Sequence, residues 1–216
     1  MKKIICILGV SMVAGFSAHA QSANTDNTPS AMTMTLGPTL GFGHSFTSNM
    51  NGNVFKPAPS LGIGAMWAKQ NWGIGVKLEA SHEGFKRQFE QNGVTMRHTI
   101  DPTYLRLTPT FNLFPGHFTE HVKPMIYVGP SIARKMAEDT YTSNVDIHEQ
   151  DNQHFVIDNQ FKEWDFGAVG GLGVSAQVGA NTYLNVDASY YHGFFDVYQG
   201  NENRNVKVNL GLMFGL

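Results

Sequence analysis

The closing stretch Val206-Lys207-Val208-Asn209-Leu210-Gly211-Leu212-Met213-Phe214-Gly215-Leu216 alternates without a break. Val206, Val208, Leu210, Leu212, Phe214 and Leu216 fall on one side of an extended chain, and Lys207, Asn209, Gly211, Met213 and Gly215 on the other. Successive side chains of a strand point to opposite faces, so one face here is apolar and the other is mostly polar or tiny. The segment before it repeats the pattern, with Leu184, Val186, Ala188 and Tyr190 opposing Asn185, Asp187, Ser189 and Tyr191.

Six further segments carry the same period. Their apolar faces are Leu36, Pro38, Leu40 and Phe42; Leu61, Ile63, Ala65 and Trp67; Ile74, Val76, Leu78 and Ala80; and Leu105, Leu107, Pro109, Phe111 and Leu113. Ile126, Val128 and Ile132 form the next, and Trp164, Phe166, Ala168, Leu172 and Val174 the last. A soluble barrel turns such a face inward and covers its outside with charge. Here the apolar face is almost free of charge, while the other mixes Gly, Ser, Thr and Asn with a few ionisable residues. That inversion describes a lipid-facing wall around a polar interior. The segments reach the roughly 9–11 residues of a tilted membrane strand, beyond the roughly 5–6 common in soluble sheets. The fold expected is all-β, an eight-stranded antiparallel up-and-down transmembrane β-barrel over residues 31–216.

Composition agrees with that reading. Only 15% of the 216 residues are charged and 23 are Gly, while aromatics reach 12%. The mean hydropathy of −0.20 is too polar for a bundle of membrane helices. A net charge of −2 argues against a basic nucleic-acid binder.

Residues 1–20 read as a secretory leader: Lys2 and Lys3, an apolar run from Ile4 to Phe16, then Ala18-His19-Ala20 before Gln21. The run is too short to span a bilayer comfortably. Cys6 would leave with the leader, so the exported chain could form neither a disulfide nor a thiolate metal site. A short segment, residues 21–30, precedes the barrel.

Connections alternate in length. Thr47–Lys56, Glu90–Arg97, Asp139–Asn159 and Asp196–Asn205 are long, Lys69–Asn71 and Gly179–Thr182 short, and Pro115–Lys123 intermediate. Membrane barrels pair short periplasmic turns with longer extracellular loops. Trp67, Trp72 and Tyr183 beside the short turns, and Trp164, Phe166 and Phe194 toward the other rim, are the expected aromatic girdles. Pro38, Pro109 and Pro130 fall inside strands, where the missing N–H predicts local bulges.

The chain resembles the PorT-like family of small outer-membrane β-barrels over roughly residues 31–216. The matching stretches are Leu36-Gly37-Pro38-Thr39-Leu40-Gly41, Tyr104-Leu105-Arg106-Leu107-Thr108-Pro109 and Pro124-Met125-Ile126-Tyr127-Val128-Gly129-Pro130. Phe166-Gly167, Gly170-Gly171-Leu172-Gly173 and Asn209-Leu210-Gly211-Leu212-Met213-Phe214 complete them. The resemblance implies an outer-membrane location, and assistance to secretion in some members; it carries no catalytic residues. Arg106 stands where the family usually has an acid, and the chain ends in Leu216 rather than an aromatic residue.

Candidate sites are few. Gly171 to Ala176 matches G-x-G-x-x-A, but strand rather than helix follows, so these glycines make room inside a narrow barrel. His117 and His121 have i, i+4 spacing without a helical pattern or a third ligand. The longest loop holds Asp139, Asp146, Glu149, Asp151 and Asp158 with His148 and His154, in no calcium-loop order. No cofactor or metal is expected. Lys77, Glu79, Arg106, Asp165, Asp187 and Lys207 share the polar face and should form a lumenal network, with Glu79 and Arg106 meeting directly across one hairpin turned at Asn92-Gly93.

Three functions compete. A non-enzymatic barrel acting in envelope integrity, adhesion or partner binding through its loops leads. A narrow channel or secretion accessory follows, limited because eight strands leave only side-chain room inside. A lipid-modifying enzyme is weakest: His44, His82, His98 and His192 lie near the rim with Ser45 and Ser81 but in no nucleophile signature. Expected partners are outer-membrane lipid, the barrel-assembly machinery and an unidentified protein or surface ligand, with no nucleic acid. Protein extracted from envelopes should begin at Gln21. Intact mass spectrometry checks this, and a mass that includes residues 1–20 contradicts the leader.

Overall fold

The computed structural model describes residues 33–91, 93–116, 121–144, 152–155 and 160–216, with backbone alone at Gln91, 141–144 and 152–155. The leader with Cys6, segment 21–30, Asn92, His117, Asp146, His148, Glu149, Asp151 and Asp158 lie outside the described residues, as does the side chain of His154.

The strands are β1 (Thr33–Thr47), β2 (Ser60–Lys69), β3 (Trp72–His82), β4 (Phe85–Gln91), β5 (Val94–Leu113), β6 (Val122–Asn144), β7 (Asn152–Phe155), β8 (Trp164–Gly179), β9 (Thr182–Tyr198) and β10 (Asn201–Gly215). Every pairing is antiparallel, in the order β4-β5-β3-β2-β1-β10-β9-β8-β6-β7. An additional β5–β6 pairing closes β1, β2, β3, β5, β6, β8, β9 and β10 into a ring of eight. β4 continues the line of β3 along β5, and β7 continues that of β8 along β6.

The faces divide as the alternation requires. On β10, Val208 is 60% exposed and Leu210 46%, while Lys207 and Asn209 between them keep 5% and 7%. Leu40, Leu61, Ile63, Ile74, Leu107, Phe111, Val128 and Leu172 are likewise exposed outward. Thr35, Ser45, Ser60, Ser81, Thr108, Asn112 and Ser131 are buried inward. An exposed apolar belt over a buried polar interior is stable only where hydrocarbon takes the place of water outside.

Both ends of the ring, Thr33 and Gly215, lie with the tight β2–β3 and β8–β9 turns at one end. The opposite end rises higher. β5 runs for 20 residues and β6 for 23, about twice what a membrane crossing needs. Two connections expected to be long loops are therefore corrected to tight hairpins. Gln91 pairs with Val94, and Tyr198 pairs with Asn201. In the second hairpin Gln199 and Gly200 have φ of 45° and 82°, the left-handed pair that a two-residue turn requires. Above the membrane these strands no longer need an apolar outer face, so the hydropathy pattern stops before the strand does.

The proline bulges are also corrected. Pairing lapses at Gly37 and Pro38 opposite β10 and resumes in the same register. Between β5 and β6, Leu107↔Ile132 and Phe111↔Val128 keep one offset across the gap that holds Pro109 and Pro130. Two prolines facing each other omit ladder bonds without adding a residue, so the register does not slip. Thr108 and Ser131 restore one link from the lumen side, their hydroxyls 3.0 Å apart. The register shifts fall elsewhere, at Thr103/Tyr104 and between Asn201 and Arg204 in the raised portion, and at Gln177/Gly179 beside a short turn.

Leu210→Arg is expected to cost about 2–4 kcal/mol, the range for Arg on the lipid face near the midplane, and Leu210→Ala less. Urea unfolding from lipid vesicles measures both.

Candidate functional site

Ionisable side chains converge inside the ring, all six expected residues among them, in three groups. At the centre of the first is Arg106 on β5. Its Nε and Nη2 donate to the two oxygens of Glu83 at 3.0 and 2.6 Å, Nη2 also to Asp165 Oδ2 at 2.9 Å, and Nη1 to Ser131 Oγ at 3.1 Å. The guanidinium lies 3.9 Å from the Tyr191 ring centroid, and Tyr191 donates to Asp165 Oδ1 at 2.7 Å. Asn203 donates its amide to Glu83 and to Asp165. Glu83, Asp165 and Asn203 have no exposure, and Arg106 has 3%.

In the second group Lys77 and Lys207 flank Glu79, at 3.2 and 3.6 Å, and Lys207 also donates to Ser81. In the third, Asp187 accepts from Tyr127 and Asn209, both at 2.8 Å. Glu79 and Arg106 are register partners, yet they do not form the direct ion pair expected of them. Arg106 presents a planar fork that suits the bidentate Glu83, leaving Glu79 to the two lysines.

Glu83 and Asn203 are the functional positions missed from sequence. Both obey the alternation, Glu83 two residues past Ser81 and Asn203 two before Asn205. Their neighbours carry no apolar partner face, so the alternation that marks the strands stops before them. Just past the end of β3, Gly84 has φ of 94°, and a Cβ there would sit 2.3 Å from the Ile100 carbonyl oxygen. The break leaves Glu83 inside. The G-x-G-x-x-A stretch lies wholly within β8. There the Tyr127 ring covers Gly171 so closely that a Cβ would come within 2.4 Å of it.

Apolar residues close the raised end. Phe85, Ile100, Tyr104, Ala133, Phe161, Val197 and Tyr198 form one buried cluster, with Phe85 and Phe161 rings 5.0 and 5.2 Å from Tyr198. Residues 160–163 are drawn over the mouth. Tyr104 donates to the Lys162 carbonyl at 3.0 Å, and Glu138 accepts the backbone N–H of Gln160 and of Phe161, each at 3.0 Å. Below the ion pairs, Phe114, Met125 and Tyr127 form a second cluster. A cavity of about 120 Å³ remains, lined by Lys77, Glu79, Arg106 and Asp187 among others. An opening of about 460 Å³ at the end holding the termini is lined by Lys69, His121, Lys123 and Phe114.

The girdle residues divide. Trp72 stacks on Phe111 at 6.2 Å, Trp164 on Phe166 at 6.2 Å, and Phe166 meets Phe195 edge-on at 6.1 Å. Trp67 is paired with Ile74 beside the short turn, and Phe194 is exposed on the outer face of β9. Tyr183 is a correction. It shares the parity of Asn185 and Asp187 and lines the opening at the termini end.

The rim histidines and serines do not gather into a catalytic set. His44 accepts the Lys56 amide at 3.1 Å, Ser45 donates to the Gly84 carbonyl at 2.9 Å, and His82 sits 3.6 Å from Asp101. His98 packs near Phe85, and His192 meets Tyr190 edge-on and Phe194 at a tilt.

A family model described as outer membrane protein beta-barrel domain matches residues 19–199. No curated protein matches the chain. Among solved structures, the Neisserial surface protein A is similar at 13% identity and a TM-score of 0.49, over 84% of this chain and 96% of that one. The outer membrane protein OprG from Pseudomonas aeruginosa gives 12% and 0.47, over 86% and 95%. The attachment invasion locus protein of Yersinia pestis gives 10% and 0.38, over 85% and 97%.

Arg106→Met should destabilise the barrel by about 3–5 kcal/mol, because it strands two buried carboxylates. In double-mutant cycles followed by denaturant unfolding, Glu83→Gln should couple strongly to Arg106→Met. Glu79→Gln, whose carboxylate is held by Lys77 and Lys207, should couple to it more weakly than Glu83→Gln does.

Proposed function

This chain belongs to the outer membrane protein beta-barrel domain family, and from that premise we propose that it is a non-conducting, non-enzymatic surface barrel that binds a partner through its raised extracellular wall. The observation that carries the reading is the closed lumen. Salt bridges from β5 to β8 and from β10 to β3 cross the interior, and aromatic rings fill the mouth above them. A solute would have to break buried ion pairs, each expensive to leave half-made. Material invested above the membrane points the same way. The β4–β5 hairpin and the upper half of β6 extend well beyond a bilayer crossing and carry Lys86, Arg87, Arg97 and Phe89, with Arg87 5.1 Å from the Phe89 ring centroid. Cations beside an exposed aromatic suit a polar or anionic surface ligand.

Placement among PorT-like barrels, supported by the Gly-Pro stretches at 37–38 and 129–130, belongs to the same reading, as do the leader, contact with outer-membrane lipid and insertion by the barrel-assembly machinery. Envelope integrity and adhesion are the roles such a partner would serve. A narrow channel is the second reading, favoured only by the cavity and the opening below it. Purified protein in planar bilayers should give no unitary conductance. It should capture a partner from outer-surface extracts that is lost when residues 86–97 are replaced by a short turn. Steady single-channel currents from the wild-type protein would favour the channel.

A further inference from the structure

The opening of about 460 Å³ beside the tight β2–β3 and β8–β9 turns carries basic residues and no acid. Lys69, His121 and Lys123 line it, and no Asp or Glu does among the described residues. Glu79 and Asp187 line the separate cavity beyond Met66 and Met213, the two methionines that border both spaces. Among the described residues none of the three bases takes part in an ion pair. In an outer-membrane barrel the end with the short turns faces the periplasm.

Register sets these groups around the mouth. His121 and Lys123 share the parity of the buried Met125 and Tyr127, so they face inward and not toward lipid headgroups. Lys123 opposes Ser175 on β8, whose hydroxyl lines the same space, and the His121 carbonyl accepts the Gln177 amide at 2.8 Å. Lys69, the last residue of β2, reaches the opening from its turn. Thr35 on β1 lies deeper, since its register partner Met66 is three residues in from Lys69. It is 6% exposed, and its hydroxyl lines the opening without a partner. A buried hydroxyl without an acceptor, beneath bases without an acid, leaves a set of donors unmatched.

We propose that this opening binds a small organic anion carrying two or more phosphate or carboxylate groups, taken from the periplasmic side. Its volume lies within the roughly 300–1,000 Å³ of small-molecule sites. Strands β2 and β6 have β3 and β5 between them, so Lys69 and Lys123 stand three strand spacings, roughly 14 Å, apart around the wall. That separation suits anionic groups at two ends of one molecule better than a lone oxyanion. Lys69 would hold one group at the rim, and Lys123 with Ser175 another across the mouth. Thr35 would donate from below and His121 from the side. The packed interior closes the far side, so the ligand enters and leaves by one mouth. The site is at the opposite end from the raised wall and does not rest on the partner-binding reading.

Isothermal titration calorimetry of the detergent-folded protein with pyrophosphate and with citrate, at an ionic strength fixed by chloride, tests the proposal. At least one should bind saturably, one molecule per barrel, and raise the thermal midpoint. Pyrophosphate alone would identify phosphate as the ligand group, citrate alone carboxylate, and both would make charge the selector. Lys69→Gln and Lys123→Gln should each weaken binding about tenfold, the loss expected for a hydrogen bond to a charged group. Thr35→Val should weaken it less, and Lys162→Gln, an exposed lysine at the raised end, should leave it unchanged. No saturable heat and no rise in midpoint with either anion overturns the proposal. Binding that survives in full in both Lys69→Gln and Lys123→Gln also overturns it, by placing the anion on another surface. Should a variant fail to fold, the wild-type titration still decides.

Discussion

Hydrocarbon offers no partner to a backbone N–H or C=O, and that constraint governs the rest of the molecule. A sheet in lipid must have no edge, so β1 must find β10 and β5 must find β6. Closure with eight strands then fixes a narrow interior, and the narrow interior must be filled by side chains. The outer face must be apolar, so the polar residues of every strand are forced inward together. The salt bridges of the lumen follow from this sorting. They satisfy groups that the ring leaves no other place to go.

The sorting was legible in the sequence because it is local. Leu40, Ile63, Ile74, Phe111 and Leu210 mark the lipid face by parity alone, and the same parity brought Glu79 opposite Arg106 in register. Parity does not say which of several lumenal acids an arginine will choose. Arg106 reaches past its neighbour to Glu83 and Asp165 because a fork can grip Glu83 with two nitrogens, and because Tyr191 offers its ring face beneath. Glu83 and Asn203 escaped notice because strands leaving the membrane lose their apolar side. Tyr183 stands beside a turn, as a girdle residue would, but its parity with Asn185 and Asp187 puts it inside. The opposed prolines show a further limit: Pro109 and Pro130 each looked like a bulge alone, but facing one another they omit bonds on both strands and leave the register intact.

The interior is packed in layers. From the raised end downward it presents an aromatic cluster, two ion-pair groups, a cavity, and a second apolar cluster. On the binding reading proposed above, this packing would support the raised strands that carry Lys86, Arg87, Arg97 and Phe89.

Single nitroxide labels placed in turn at residues 206–212, read by electron paramagnetic resonance in lipid vesicles, test the inside-out arrangement most directly. Oxygen dissolved in the bilayer should relax labels at 206, 208, 210 and 212 strongly and those at 207, 209 and 211 weakly. Uniform relaxation along the segment, or the opposite parity, would contradict a lipid-facing apolar wall around a packed polar interior.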